Sequence, residues 1–417
     1  MPEPAGDGAF RHPGFLRFWG AETVSGFGTY VTTIALQVLV VVTLRGTATD
    51  VGLLNASRWA PYLVLGLVVG ALVDRRRRKP ILVTTDLARG VLLGLIPLFW
   101  LLHWLSLPLL LAFVALFGVF SLFYDAASQS FLPRLVPRSA LLGANARLDQ
   151  SAAVAQTSGP LVAGALVTAL GAPIAVLVDA ASYLFSAASM SGIRIVEPPP
   201  PPAEKRNLRG EIAEGLRWVY RHRTLAPAAI TGHVWFLFNS MLNTIFVPFV
   251  LLALQLTPLE LGIALAAQGV TGLVGSLFSV RLGRRLGIGP AVIACYAVMP
   301  IGWALIALTP TASSWITIAV LAAGQGVYGL TLGLQNANEM GYRQAVTPDA
   351  LQGRTNITIR SINRAMIVVG APVGGLLADG IGYRPTFWIA IGGFVLVAIG
   401  LALSPFRRAR HDDGETG

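Results

Sequence analysis

Charge is scarce in this chain. Asp, Glu, Lys and Arg make up 12% of its 417 residues, about half the share of an ordinary soluble domain. With 54% hydrophobic residues and a mean hydropathy of +0.66, that shortage excludes a soluble globular protein. Cysteine is nearly missing too: Cys295 stands alone, so neither an intrachain disulfide nor a cysteine-based metal cluster can form. Lysine occurs only as Lys79, before Pro80, and Lys205, before Arg206, and neither completes the GxxxxGK[ST] loop that cradles nucleotide phosphates. No serine sits in a GxSxG elbow, and His12, His103, His222, His233 and His411 lack HExxH spacing. No metal, no cofactor and no enzymatic activity are therefore expected.

Long apolar runs are what the chain has in abundance. Twelve runs of about 20 residues or more are long enough to cross a bilayer as helices. They cover approximately 16–44, 51–73, 80–104, 107–127, 145–170, 173–193, 226–256, 259–282, 289–309, 313–338, 355–380 and 385–405. The expected fold is an all-α polytopic membrane protein embedded in a lipid bilayer. The first run carries Glu22 and lacks a short apolar core followed by a small-residue cleavage site, so it does not read as a cleaved signal peptide.

The formal charge of +11 invites a nucleic-acid partner, but the distribution of arginine argues otherwise. Of the 31 Lys and Arg, all except Arg45, Arg58 and Arg384 fall on one side of the expected spans, as the positive-inside rule demands. No nucleic-acid binding is expected. An even number of spans then leaves both termini cytoplasmic. The excess of Arg over Lys fits a GC-rich bacterial genome, hence a bacterial inner (plasma) membrane.

Residues 194–225 form the longest connection. The proline run at 198–202 reads as a stiff spacer, and Ile212, Leu216, Val219 and Tyr220 at helical spacing predict an amphipathic helix on the membrane surface. The chain thus divides into a six-helix bundle at 1–193, a cytoplasmic linker at 194–225, a second six-helix bundle at 226–405 and a tail at 406–417. The halves resemble each other. Gly159-Pro160 and Ala371-Pro372 lie 212 apart, Gly171 and Gly382 lie 211 apart, and Pro137, Leu141 and Gly143 find counterparts in Pro348, Leu351 and Gly353. A duplicated unit is the simplest source of such a pattern.

Intramembrane charge needs an explanation, because it costs on the order of 3 kcal/mol by insertion scales. Glu22, Gly26, Thr29, Thr33 and Gln37 share one helix face at i, i+4, i+7, i+11 and i+15, so that face reads as the lining of a polar cavity. Glu22 is the candidate for proton coupling or cation binding; the alternative is a carboxylate near the headgroups or paired structurally with an arginine. Glu339 follows Gln325, Tyr328 and Gln335 on a second polar face and is either another titratable cavity group or a solvated one. Trp235, Asn239 and Asn243, with Tyr30, Tyr62, Gln268, Gln325 and Tyr328, are candidates to line a largely apolar substrate pocket; interhelical hydrogen bonding is the alternative. Asp86, Arg89, Arg147, Asp149, Arg360 and Arg364, near helix ends, read as structural. Pro160 and Pro372 occupy matching positions in the two halves and can bend their helices.

Several motifs carry a family resemblance. The loop Gly70-Ala-Leu-Val-Asp74-Arg75-Arg76-Arg77-Arg78-Lys79 resembles the GxxxDRxGRR signature of the major facilitator superfamily, with Arg77 where that signature has a glycine. Ala155-Gln-Thr-Ser-Gly159-Pro160-Leu-Val-Ala163-Gly164 is similar to the superfamily's antiporter motif. These motifs, with Phe131-Leu-Pro133-Arg-Leu-Val-Pro137, Ala144-Asn145 and Asp179-Ala-Ala-Ser182, look like the branch that includes macrolide-efflux and enterobactin-export proteins. The resemblance implies twelve transmembrane helices in two pseudo-symmetric bundles and alternating access. It further implies efflux of an amphipathic or hydrophobic small molecule (a drug, natural product or siderophore) driven by the proton gradient. It also implies a cytoplasmic gate, in which Asp74 faces the helix beginning near Arg354 and Arg78 pairs with Asp125. Glu22 would then exchange the proton, and Gly159, Pro160 and Gly164 would form the antiporter motif. The protein is expected to work as a monomer. An uptake symporter for a small nutrient is the alternative, and a polytopic membrane enzyme lacks a reactive constellation.

Overall fold

The computed structural model describes residues 9–195, 197, 208–311 and 315–410. Among them only helices and turns occur. In chain order these are α1 (Pro13–Val38), α2 (Ala48–Asp74), α3 (Arg78–Leu101), α4 (Leu107–Leu135), α5 (Leu141–Leu170), α6 (Ala172–Ser191) and α7 (Leu208–Arg221). Then come α8 (Leu225–Pro248), α9 (Pro258–Leu286), α10 (Ile288–Ala307), α11 (Trp315–Val346), α12 (Asp349–Ile381) and α13 (Tyr383–Leu403). Eleven helices among the described residues are long and apolar enough to cross a membrane. The 27-residue α2 occupies the place of the second expected span but is not among those eleven. Outward residues of the eleven are large and apolar, as with Val91, Leu277 and Leu403, which is the surface a bilayer rather than water solvates.

The chain forms two compact units, one of Met1–Arg45 and Ser57–Glu204, the other of Gly46–Ala56 and Lys205–Gly417. Helix α2 therefore starts in the second unit and ends in the first. Its start is fixed within the second unit: Asp379 of α12 accepts hydrogen bonds from the Ala48 and Thr49 backbone N–H groups at 3.1 and 2.9 Å. An acid suits the positive end of a helix.

The internal repeat is visible in backbone detail. Helix α1 ends in a π turn at Leu39–Thr43 and α8 in one at Phe249–Ala253. Each is followed by a non-glycine residue in the left-handed region, Arg45 at φ 53° and Gln255 at φ 54°. Both pairs lie 210 positions apart (249 against 39, 255 against 45). The next helices open alike. The Thr47 N–H donates to Asp50 and the Asp50 N–H returns to the Thr47 hydroxyl, and Thr257 and Glu260 make the same reciprocal pair, satisfying orphan N–H groups of the first turn. One loop breaks the symmetry. Gly287 leads into α10 with φ 85°, whereas Arg77, its counterpart before α3, sits at φ −68° and ψ 133° in ordinary extended backbone. The missing loop glycine is thus accommodated by a different turn.

Small residues bring backbones together in the second unit. A methyl group on Gly275 of α9 would overlap the Leu330 carbonyl of α11, and one on Gly333 would overlap the Gly272 carbonyl. The α9–α11 pair is therefore packed backbone to backbone.

The amphipathic helix of the linker exists as α7, and part of its apolar face packs on protein while Leu216 stays exposed. Val219 is buried with Leu225, Ala229 and Ile359, Gly215 lies against Thr358 and the Arg354 carbonyl, and Glu214 pairs with Arg354 of α12. Burial pushes the Tyr220 phenol up from its ordinary value. Its hydroxyl shares a 2.8 Å hydrogen bond with His233, which meets the Asn363 side-chain oxygen at 2.6 Å through its other nitrogen. A neutral His233 protonated on Nδ1 satisfies both contacts.

Candidate functional site

In the first unit, α1, α3, α4 and α6 converge on a polar core. Glu22 of α1 accepts from the Tyr124 hydroxyl at 2.6 Å and the Ser128 hydroxyl at 3.1 Å, both on α4. The Tyr124 ring lies under the Arg89 guanidinium, whose Cζ is 4.1 Å from the ring centroid, and the Tyr183 ring of α6 lies 4.3 Å away. Arg89 pairs with Asp86 one turn earlier on α3, and Asp86 accepts from Ser186 at 2.5 Å. Asp86 and Arg89 are 0% and 5% exposed. Two aromatic faces and a carboxylate thus replace the water that a buried guanidinium would otherwise need.

Asp179 extends this core. Its Oδ1 accepts from Ser182 at 2.9 Å, while its buried Oδ2 has no partner. Gly28 of α1 makes room for it, because a methyl group there would overlap Asp179 Oδ1. The Tyr183 hydroxyl and Thr29 are 3.2 Å apart, and Arg58 of α2 donates to Thr33 at 2.8 Å. Gln37, farther along the face, is buried with an unpartnered side-chain oxygen. The stripe that begins at Glu22 therefore lies along a polar interior.

The segment similar to the antiporter motif packs against the same helix. A methyl group on Gly159 would press on the Tyr30 ring at 2.8 Å, so the missing side chain seats that ring. Pro160 and Gly164 are buried within a continuous α5.

Of the implied gate, the Arg78 and Asp125 side chains lie among the described residues. Arg78 does not pair with Asp125: its Nε reaches Ser130 at 3.4 Å and its Nη1 the Arg76 carbonyl at 3.0 Å, while Asp125 accepts from Tyr62 at 2.7 Å. Helix α3 starts at Arg78, which ties that residue to its own turn. The side chain of Asp74 lies outside the described residues. An acid that the sequence reading missed takes the central place here. Glu197, just past α6, accepts from the backbone N–H groups of Arg78 and Lys79, each at 2.7 Å, and from the Arg134 guanidinium at 3.1 Å. No sequence signal marks it, because its partners are 63 to 119 positions away.

In the second unit the candidate residues fall into two groups. Asn239 accepts from the Tyr328 hydroxyl at 2.6 Å and from Asn243 at 3.0 Å. Gln325 is buried nearby on α11, its side-chain oxygen unpartnered, and Gln268 of α9 is partly exposed. Trp235 stacks on Phe394 at 6.0 Å between centroids, its indole N–H buried without a partner. Trp235 also borders a cavity of about 340 Å³, walled by α8, α10, α11 and α12 and including Glu339. Glu339 accepts from Tyr296 at 3.3 Å and from Gln335. No group of three or more candidate metal ligands occurs among the described residues.

A family model described as transmembrane secretion effector matches residues 6–416. The chain belongs to that family of major facilitator transporters. It is similar to the multidrug efflux pump Tap of Mycolicibacterium fortuitum, 26% identical with 90% of this chain and 92% of Tap covered. The macrolide efflux protein A of Streptococcus pyogenes is 22% identical, with 96% and 97% covered. Among solved structures, a mutant of the nucleoside transporter NupG matches with a TM-score of 0.76 at 11% identity, covering 93% of this chain and 98% of NupG. A bacterial homologue of the iron transporter ferroportin, in an inward-facing state, matches at 0.73 and 14%, covering 93% and 97%. The shared fold is that of the major facilitators, and the protein is a multi-pass membrane transporter, not an enzyme.

Proposed function

We propose that this transporter exports amphipathic small molecules in exchange for protons, with Glu22 as the coupling acid. The observation that carries the reading is the Glu22 carboxyl, held by Tyr124 and Ser128 within an apolar bundle and linked through the Tyr124 ring to the Arg89–Asp86 pair. Gain or loss of one proton at Glu22 changes the buried charge of this core by one, and in a low-dielectric interior such a change acts strongly on the neighbouring charges. The hydroxyls of Tyr124 and Ser128 serve both forms, because a hydroxyl can donate or accept. The direction of transport is taken from Tap and macrolide efflux protein A, both named as efflux proteins.

In this reading α2 is a twelfth span, and both termini face the cytoplasm of a bacterial cell whose plasma membrane holds the protein as a monomer. Asp74 and Asp125 work near the cytoplasmic ends of their helices, and Glu197 rather than Asp125 anchors the Arg78 turn.

The test is accumulation of a panel of fluorescent amphipathic dyes and antibiotics in cells making the wild type or Glu22→Gln, with and without a protonophore. The wild type is expected to lower accumulation of at least one compound, and both the protonophore and Glu22→Gln to cancel that effect. Export that survives Glu22→Gln while still failing with the protonophore would remove Glu22 from the coupling role. Accumulation above that of control cells would reverse the direction.

A further inference from the structure

The cavity of the second unit is a built site whose polar groups are not all satisfied. Gln335, 4% exposed, turns an unpartnered side-chain oxygen toward the interior, and the Trp235 indole N–H and the Arg343 Nε are likewise buried without partners. All three residues border the cavity. Buried polar atoms are ordinarily hydrogen-bonded, so these three residues keep unspent hydrogen-bonding capacity beside the 340 Å³ space.

The charges around this space decide what kind of ligand fits. Glu339 already has donors, Tyr296 and Gln335, on one carboxylate oxygen. Arg343 and Arg360 also border the cavity, and neither guanidinium has an ion-pair partner among the described residues. Arg343 donates only to the Met340 sulfur, a weak acceptor. One carboxylate against two guanidinium groups on the lining leaves an excess of positive charge. A second cleft of about 480 Å³ shares Tyr342 with the cavity and is bordered by His222, Arg223, Arg407 and Arg408, with no acid on its lining among the described residues. Clefts lined by one sign of charge concentrate the opposite charge. Trp235, Phe236 and Tyr296 add aromatic surface to the same lining.

We propose that this cavity binds an amphipathic organic anion, with Arg343 and Arg360 holding the anionic group and Trp235, Phe236 and Tyr296 holding the apolar body. The inference deepens the export reading by naming the substrate class, and it rests on that reading for the word substrate. The volume suits a small soluble amphiphile and is too small for a two-tailed phospholipid. A planar guanidinium binds a carboxylate through paired hydrogen bonds, which an ammonium cannot match.

The experiment is equilibrium binding of radiolabelled decanoate to the full chain in phosphatidylcholine nanodiscs, corrected for empty discs, with no proton gradient. Decanoate is expected to bind saturably, and decyltrimethylammonium and decanol to displace it at least tenfold less well than unlabelled decanoate. Arg343→Gln and Arg360→Gln should each weaken decanoate binding about tenfold, the order expected for one charge-assisted contact, while Glu339→Gln strengthens it. Arg360 is exposed, so its variant keeps the test open if Arg343→Gln fails to fold. Displacement by the cation at equal or lower concentration, or unchanged binding in both arginine variants, overturns the proposal. Loss of decanoate binding in phosphatidylglycerol discs overturns the assignment to a soluble amphiphile and transfers the site to lipid. Because no transport is measured, failure here leaves the proton-exchange reading standing, and failure of exchange leaves this binding result standing.

Discussion

Gly28 shows how much a single position can govern in a membrane interior. Its missing side chain admits the Asp179 carboxylate and the Ser182 hydroxyl to the face of α1. Gly28→Ala forces that carboxylate aside in a packed core, where overpacking costs about 1–3 kcal/mol. Thermal unfolding of the purified protein is expected several degrees lower for Gly28→Ala than for Gly20→Ala, where nothing lies within 4 Å of the added methyl. Equal midpoints would mean that Asp179 moves freely. Glu22 was legible at this scale because a carboxylate heading a polar stripe in an apolar run has no cheap explanation. Asp86 and Arg89 were legible only as structural charges near a helix end. Their cage of Tyr124 and Tyr183 depends on helices 35 and 94 positions further along the chain, and no local pattern announces it.

Helix boundaries followed physical chemistry that the sequence displays in part. Prolines at first-turn positions open α1, α4, α6 and α9, where a missing N–H costs nothing. The start of α3 is different. Arg78 and Lys79 look like sidedness charges, yet their backbone N–H groups are held by Glu197 from beyond α6. An isosteric Glu197→Gln keeps the shape and removes the charge, at a cost of about 1 kcal/mol through the helix end and the Arg134 contact. Hydrogen exchange at residues 78–82 is expected to speed up several-fold relative to wild type, with residues 85–95 unchanged. No difference at 78–82 would show that the loop holds the helix end without the carboxylate. The linker helix was legible from its apolar spacing, but spacing cannot distinguish lipid from α12 as the partner of that face.

At the scale of the whole molecule, the arginine asymmetry predicts an orientation that the single cysteine makes easy to test. Cys295 is buried at 4% exposure and should resist a membrane-impermeant maleimide. In a Cys295→Ser background, Trp104→Cys, between α3 and α4, is expected to label in intact cells, and Arg408→Cys only after permeabilisation. The reverse pattern would invert the topology. The duplicated architecture was legible from paired motifs about 211 positions apart, whereas the division of the chain within α2 was not, because hydropathy records where a helix lies and not what it packs against.

The matching π turns at the ends of α1 and α8 carry a chronology. A π turn holds one residue more than the α turn it replaces, so each is the trace of a single inserted residue. Two independent insertions at equivalent positions, each followed by a left-handed non-glycine residue and a reciprocal threonine–acid pair, would be a large coincidence. The economical history is that the insertion came first, in an ancestral six-helix half, and that copying and fusion of that half came after. The substitution that now sets Glu22 in one half against Gly232, its counterpart 210 positions on, is younger than both events.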